Sequence, residues 1–205
     1  MTPADSHVVA LAPLCAAAAV GPREALTTLA RAALEAGCTG EEVREALLTL
    51  VPFCGFPRTL DALAEVRPFV PDVAPEDAPE ASSCAADRPS RGAAFFDRVY
   101  GGDAAKVRAN LRSIDAEVAG WIERDAYGKV LSRTAIPASL RERIGVVLLV
   151  AQGLRNQLSG HLRGALNFGA TPGEIAAFLD AAGPFLDAEE LAFARATLAR
   201  IGHGN

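Results

Sequence analysis

The chain has 205 residues, half of them hydrophobic, so it can bury a sizeable core in one large domain or two small ones. The formal net charge is −5, and no cluster of lysine and arginine is long enough to suggest a surface for nucleic acid or an anionic membrane. Alanine and leucine dominate while aromatic residues make up only 6%, which favours packed helices over sheets.

The N-terminal part of the chain predicts a unit of four short helices separated by glycine, proline and cap residues. Gly37 is a natural stop for the second helix, and Thr39 with Glu42 forms a capping box at the start of the third. The apolar run Val8–Val20 lacks a basic flank and is too short to span a bilayer, so we interpret it as a buried helix of a cytoplasmic protein. The four predicted helices cover residues 7–19, 23–36, 40–51 and 58–67.

The middle of the chain predicts a linker followed by one long helix. Residues 68–92 are rich in proline, alanine and acidic residues, a composition that favours extended or partly disordered structure. Asp103 can cap a helix over residues 104–127, which Gly128 ends. Residues 1–67 are therefore expected to form a first helical repeat and residues 93–205 a second one with an extra N-terminal helix. An apolar stripe on the long helix is expected to pack on the core; it consists of Val107, Leu111, Ile114, Val118 and Trp121.

The second half of the chain repeats the first at a constant offset of 132 residues, as between Gly37 and Gly169. Glu42 recurs as Glu174, and Pro52-Phe53 recurs as Pro184-Phe185. Glycines, caps and prolines that recur in register indicate a duplicated supersecondary unit rather than shared composition. The predicted helices of the second copy cover residues 140–152 and 154–168, a segment capped by Thr171, and residues 188–201.

The two copies differ at positions where one keeps a titratable residue and the other an apolar one. Glu142 and His161 in the second copy align with Ala10 and Leu29 in the first. If the two helices that carry them form an antiparallel hairpin, the carboxylate can orient the imidazole and favour its protonated form. That pair is the minimum for general acid–base catalysis. A surface glutamate and a histidine satisfied by local packing remain the alternative.

Few other residues in the chain could take part in binding or catalysis. Arg141, Arg143 and Arg163 put positive charge on the same hairpin, where an arginine can hold a carboxylate with two parallel hydrogen bonds. Surface salt bridges are the alternative interpretation. The three histidines lie far apart without zinc-ligand spacing, and no glycine-rich loop follows a strand, so neither a metal nor a nucleotide is expected. Four cysteines without a C-x-x-C motif are expected to be reduced and mostly buried: Cys15, Cys38, Cys54 and Cys84.

These motifs resemble those of the carboxymuconolactone decarboxylase family. The resemblance covers most of the chain outside the linker, and it implies an all-α fold that associates into trimers, hexamers or, given the duplication, a dimer-based assembly. It also implies two chemistries, cofactor-free decarboxylation of a lactone acid and thiol-dependent reduction of hydroperoxides. The matching segments are Ser139–Glu142, Gln157–Asn167, Gly169–Pro172 and Glu174-Ile175 in the second copy, Glu42–Leu48 and Cys54–Leu63 in the first, and Ala126–Arg133 between them.

The resemblance also assigns roles to individual residues. The catalytic glutamate and histidine of the family match Glu142 and His161. From the charge on the hairpin, Arg141 or Arg163 is expected to hold a carboxylate of the small-molecule substrate. The peroxidase branch needs two cysteines ahead of that histidine, and this chain has Leu154 and Gln157 there. Without that pair the redox cycle has no means of turning over.

The chain also departs from the family pattern in each half. The first copy lacks the glutamate and the histidine, while the second has Asp187-Ala188-Glu189 in place of a Gly-x-Pro turn and Ala177 in place of a second glutamate. Either the two halves compose one site, or the activity has drifted or been lost. The leading hypothesis is a decarboxylase-like enzyme without metal or organic cofactor. A peroxidase-type protein that uses Cys38 or Cys54, and a non-catalytic oligomeric binding protein, are the alternatives.

Overall fold

A computed structural model describes residues 7–72 and 85–202, and every regular element in those residues is helical. The expected all-α fold is therefore confirmed. A π-helical segment, Ile122–Leu131, connects α7 to the second repeat. The α-helices are α1 Leu11–Val20, α2 Ala25–Glu35, α3 Gly40–Leu48, α4 Leu50–Val66, α5 Arg88–Tyr100, α6 Ala104–Ile114, α7 Ala116–Trp121, α8 Ala138–Ala151, α9 Arg155–Asn167, α10 Pro172–Ala182 and α11 Ala188–Gly202.

The duplication predicted from the sequence is visible in the helix caps. Thr39 accepts a hydrogen bond from the backbone N–H of Glu42 at 3.1 Å, and Thr171 accepts one from Glu174 at 3.2 Å. In both copies the glutamate closes the capping box on the backbone of the threonine. Gly37 and Gly169 end the preceding helices in the left-handed region, with φ of +103° and +94°. The same local sequence thus produces the same local structure in each copy.

The two copies achieve a later bend by different means. In α4 the bend lies at Gly55, whose φ of +78° favours glycine. The equivalent position in the second copy is Asp187, where the chain leaves a 3₁₀ turn and begins α11. The Asp187 carboxylate accepts hydrogen bonds from the backbone N–H groups of Glu189 and Glu190. The loss of the glycine turn in the second copy is therefore offset by a helix cap.

The two repeats share one hydrophobic core. The equivalent helices α1 and α8 pack against each other at its centre, and each also packs on the second helix of its own repeat. The apolar run predicted to be a core helix is confirmed as one, since Leu11, Leu14 and Cys15 on α1 are completely buried. No single helix in residues 7–72 and 85–202 is both long and apolar enough to cross a membrane, although the sharply bent pair α3–α4 meets that criterion by length and composition.

The segment between the repeats is more structured than the sequence predicts. Residues 73–84, which include Cys84 and much of the expected linker, lie outside the described residues. The predicted linker end at residue 92 is wrong because α5 begins at Arg88. The predicted single helix over residues 104–127 is also wrong, since the Asp115 carboxylate caps α7 at the N–H of Val118 and breaks the helix there. Asp103 makes no side-chain cap at the start of α6.

Gly128 does not end a helix as predicted but allows two helices to touch. It lies inside the π-helical segment, and a Cβ there would overlap the backbone of Arg88. Gly92 on α5 faces the backbone of Glu123 in the same way. The Arg91 guanidinium donates to the carbonyl of Gly128 at 2.6 Å and reinforces the contact. The glycines are therefore needed for the close approach of α5 to the π-helical segment.

The predicted core stripe is confirmed only in its first part. Val107 and Leu111 pack on a small hydrophobic cluster around Phe96, which is separate from the main core. Ile114 is 76% exposed, Val118 43% and Trp121 49%. The 3.6-residue periodicity therefore does not continue as one buried face through the break at Asp115. The helix α5, which carries Phe96, packs on α9.

Candidate active site

Glu142 and His161 meet inside the α8–α9 hairpin. Nδ1 of His161 lies 2.8 Å from Oε2 of Glu142, and the two residues are 5% and 1% exposed. The prediction that they approach within hydrogen-bonding distance is confirmed. An ionised carboxylate only accepts, so Nδ1–H of the imidazole is the donor, and Nε2 is the nitrogen left for exchange of a proton. Their catalytic role stays a prediction.

Glycines on α9 give room to the side chains around the pair. A Cβ on Gly164 would stand 2.5 Å from Oε2 of Glu142, and one on Gly160 would stand 2.7 Å from the ring of Tyr100. A glycine inside a helix costs about 1 kcal/mol relative to alanine. Gly164 and Gly160 lower helix stability by this amount, but they leave space for a carboxylate and an aromatic ring where a methyl group would otherwise lie.

The first repeat contributes an aromatic wall to the site. The ring of Phe53, from the first turn of α4, meets the ring of His161 edge-on at a centroid distance of 5.1 Å. It also fills the space above Gly145 of α8, where a Cβ would stand 2.8 Å from the ring. Of the two possibilities left open by the sequence, this contact favours a site composed by both halves.

Two tyrosines also lie close to the pair. The hydroxyl groups of Tyr100 on α5 and Tyr127 in the π-helical segment are 2.9 Å apart. Burial and the negative charge of Glu142 raise the pKa of both phenols above the ordinary value, for Tyr127 well above it. Both hydroxyl groups therefore stay protonated; one donates its hydrogen to the other, and the second keeps a hydrogen to donate elsewhere. The sequence reasoning missed these tyrosines and Phe53; the interior glycines at 145, 160 and 164 were the available signal.

One oxygen of the buried carboxylate has no partner. Oε1 of Glu142 is buried and accepts no hydrogen bond from any described residue. A buried acceptor left without a donor costs about 1–3 kcal/mol, and more when it is charged. A catalytic role, stored strain or a bound water molecule can account for such an unsatisfied buried group.

Arg141 does not have the predicted role of a substrate ligand. Its guanidinium is completely buried and donates to Oε2 of Glu45 at 2.8 Å and to Oγ1 of Thr49 at 3.0 Å. Burial tends to raise the pKa of Glu45, but hydrogen bonds from Arg133 and Arg141 outweigh it and hold that pKa below the ordinary value. A buried cation requires such partners, so Arg141 serves to join α8 to α3.

Arg163 lies where a substrate could reach it. Its half-exposed guanidinium is 3.3 Å from the carboxylate of Asp103. It lines a cavity of about 520 Å³ together with Tyr100 and Gly160, the two residues that close the site from this side. The third arginine of the hairpin, Arg143, is buried with its guanidinium 5.5 Å from the centre of the Phe178 ring. Arg163 is thus the predicted ligand that lines a cavity, and this cavity also includes Gly160, the residue before His161.

The three cysteines in the described residues are poorly suited to thiol chemistry. Burial raises the pKa of Cys38 and of Cys54 to about 11 each, and raises the pKa of Cys15 as well. The thiolate is the reactive species, so these thiols are weak nucleophiles at neutral pH. Within the described residues, no group of three or more histidine, cysteine or acidic side chains is arranged to hold a metal ion.

The fold and the site together define a class of protein, in which a duplicated helical unit buries a glutamate–histidine pair. The family model for the carboxymuconolactone decarboxylase family matches residues 3–68 and 117–199, and the chain belongs to that family. The two matched stretches correspond to the two repeats, and α5 and α6, with Tyr100, lie between them. The resemblance inferred from the motifs is therefore confirmed.

Two curated relatives match parts of the chain. Peroxisomal protein 2 of Schizosaccharomyces pombe is 35% identical over 135 residues, which cover 65% of this chain and 63% of that protein. The 4-carboxymuconolactone decarboxylase of Acinetobacter baylyi is 33% identical over 66 residues, which cover 32% of this chain and 49% of that protein. The matched region spans less than two thirds of either relative.

Proposed function

We propose that the protein is an acid–base enzyme of the decarboxylase type that needs no metal or organic cofactor and acts on a small anionic lactone or a related acid. The observation that carries the proposal is the buried pair of Glu142 and His161, in which one carboxylate oxygen lacks a donor. The name of the Acinetobacter baylyi relative supports the reaction type.

The proposed step requires one proton. The bond from the substrate carbon to its carboxylate breaks, its electron pair passes into the conjugated lactone, and carbon dioxide leaves. Protonated His161 then delivers a proton from Nε2 to the carbon skeleton and takes another from solvent. Glu142 accepts from Nδ1–H, which keeps the ring oriented and stabilises its charged form. Electrons and protons balance without a redox partner.

The surroundings would favour this step in two ways. Arg163, beside the cavity of about 520 Å³, would hold an anionic group that the substrate retains. The aromatic walls formed by Phe53 and Tyr100 limit the entry of water, which strengthens electrostatic interactions inside the site.

The experiment that tests the proposal measures carbon dioxide release by the purified protein from a panel of lactone acids. With any substrate that is turned over, Glu142→Gln should lower the rate by about 10²–10⁴ because the imidazole loses its charged partner. A matched control is Glu42→Gln, since Glu42 also contacts a histidine, His7, at 3.4 Å, but near the surface. The control should keep the wild-type rate.

Two results would contradict the proposal. Equal rates for Glu142→Gln and the wild type would show that the pair of Glu142 and His161 does not take part in the reaction. Saturable binding of the lactone acids without carbon dioxide release from any of them would instead indicate a binding protein.

A further inference from the structure

A second, larger cavity lies between the start of α4 and the junction of α7 with the π-helical segment. Its volume is about 700 Å³, within the range of about 300–1,000 Å³ that is usual for small-molecule sites. Pro52 and Phe56 form one wall, and Val118, Trp121 and Ile122 form the other. Neither Glu142 nor His161 lines it, because Phe53, between Pro52 and Phe56, turns its ring onto His161 instead.

The walls of this cavity expose large apolar side chains to solvent. Phe56 is 66% exposed, Trp121 49% and Val118 43%. Single exposed apolar residues are common on protein surfaces, but several gathered around one concave site indicate that the site binds something. The apolar walls therefore call for a ligand with a hydrophobic body.

The charged residues of the cavity define the other end of the ligand. Arg88, at the start of α5, lines the cavity and is partly buried. Lys129 is exposed on the same rim, and the carboxylate of Asp125 is already paired with Arg124. Guanidinium and ammonium groups form strong charge-assisted hydrogen bonds with a carboxylate.

We propose that this cavity binds an amphipathic monocarboxylate of the size of a medium-chain fatty acid. Its carboxylate accepts from Arg88 and approaches Lys129, while its hydrocarbon chain lies between Phe56 and Trp121. The site is separate from the glutamate–histidine pair and stands whether or not that pair is catalytic.

The single tryptophan of the chain makes the proposal directly testable, since it is Trp121. Titration with decanoate below its micelle concentration should give a saturable change of tryptophan fluorescence, and calorimetry should report the same affinity. Decanol, which has the chain but no charge, should bind at least about tenfold more weakly, the scale of one charge-assisted hydrogen bond.

Variants identify the carboxylate end. Arg88→Gln should weaken decanoate binding about tenfold or more and leave decanol binding unchanged. The matched control is Arg112→Gln, which removes the same charge from an exposed arginine that does not line this cavity and should not alter the affinity. If circular dichroism shows that Arg88→Gln fails to fold, Lys129→Gln on the exposed rim should still weaken the binding of decanoate relative to decanol.

Several outcomes would overturn the proposal. Equal affinities for decanoate and decanol, or equal affinities of the variants and the control, would show that the cavity does not bind the carboxylate through Arg88 and Lys129. Absence of any saturable change in tryptophan fluorescence would show that the cavity does not bind decanoate. A fluorescence change that follows protein concentration instead of decanoate, together with dimers in sedimentation, would show that a second copy of the chain covers these walls.

Discussion

The two repeats have the same caps and bends but opposite interiors. The α1–α2 hairpin of the first repeat is filled with alanine, leucine and cysteine, and its described core contains no charged side chain. The equivalent α8–α9 hairpin buries three charged residues and a histidine; they are Arg141, Glu142, Arg143 and His161. Because both hairpins fold on the same scaffold and Arg141 joins α8 to α3, the difference that points to function is the pair of Glu142 and His161.

The first repeat nevertheless supports the charges of the second. Glu45 on α3 binds Arg141 on α8, a partner 96 residues away, and the equivalent of Glu45 in the second repeat is Ala177. Phe53 likewise reaches from α4 to His161. Each repeat has lost what the other supplies, so neither contains a complete site.

Removal of the histidine that distinguishes the second hairpin from the first should have the largest effect. His161→Ala should lower any decarboxylase activity by about 10²–10⁴, the scale of a lost general acid–base group. The matched change in the first repeat, Leu29→Ala, should leave the rate unchanged. Rates of carbon dioxide release and circular dichroism spectra of both variants test this, and a loss of rate in Leu29→Ala as large as in His161→Ala would refute it.

The buried ion pair of Glu45 and Arg141, which links the two repeats, should stabilise the fold more than an exposed ion pair does. Glu45→Ala leaves the buried guanidinium of Arg141 without its carboxylate and should lower the free energy of unfolding by about 3–5 kcal/mol. Asp180→Ala is a suitable control because it breaks an exposed pair with Arg195, which contributes about 0–1 kcal/mol. Urea denaturation measures both values. Similar losses in the two variants would mean that the buried pair has no special role.

The same link should make stability depend on pH. The pKa of folded Glu45 is below its ordinary value of 4.5. Its contribution to stability is therefore present above that ordinary value and is lost as the pH falls through the folded pKa. The difference in unfolding free energy between wild type and Glu45→Gln should shrink as the pH is lowered from neutrality to below 4.5. A difference that stays constant over this range would contradict the assignment.

The capping boxes are a feature that the two repeats share. Thr39→Ala and Thr171→Ala should each lower the free energy of unfolding by about 1 kcal/mol, and by nearly equal amounts. The two boxes have matching geometry, with threonine oxygens 3.1 and 3.2 Å from the glutamate N–H groups. Thermal unfolding of the two variants at one pH measures the effect. Clearly unequal losses would show that the local motif does not act independently of its repeat.

Local patterns in the sequence were sufficient to identify much of this architecture. Thr39 and Glu42 satisfy the free N–H groups of α3 from within one turn, so their spacing predicts the cap without reference to any other helix. The alignment of the repeats also selected Glu142 and His161, because a titratable residue against an apolar counterpart is visible in the chain alone. Arg141 was selected by the same proximity and given the wrong role, since its partner Glu45 is far away in the sequence.

Local patterns in the chain were therefore enough to predict the helical class, the duplication, the caps and the contact between Glu142 and His161. The packing of helices that are distant in sequence places Phe53, Tyr100 and Tyr127 near the pair and leaves the end of the predicted stripe, up to Trp121, exposed. The two kinds of contact differ in the sequence separation of the residues that they join. A cap or a left-handed glycine is fixed by hydrogen bonds over three or four residues, whereas contacts between helices depend on how distant segments pack, which helical periodicity does not encode.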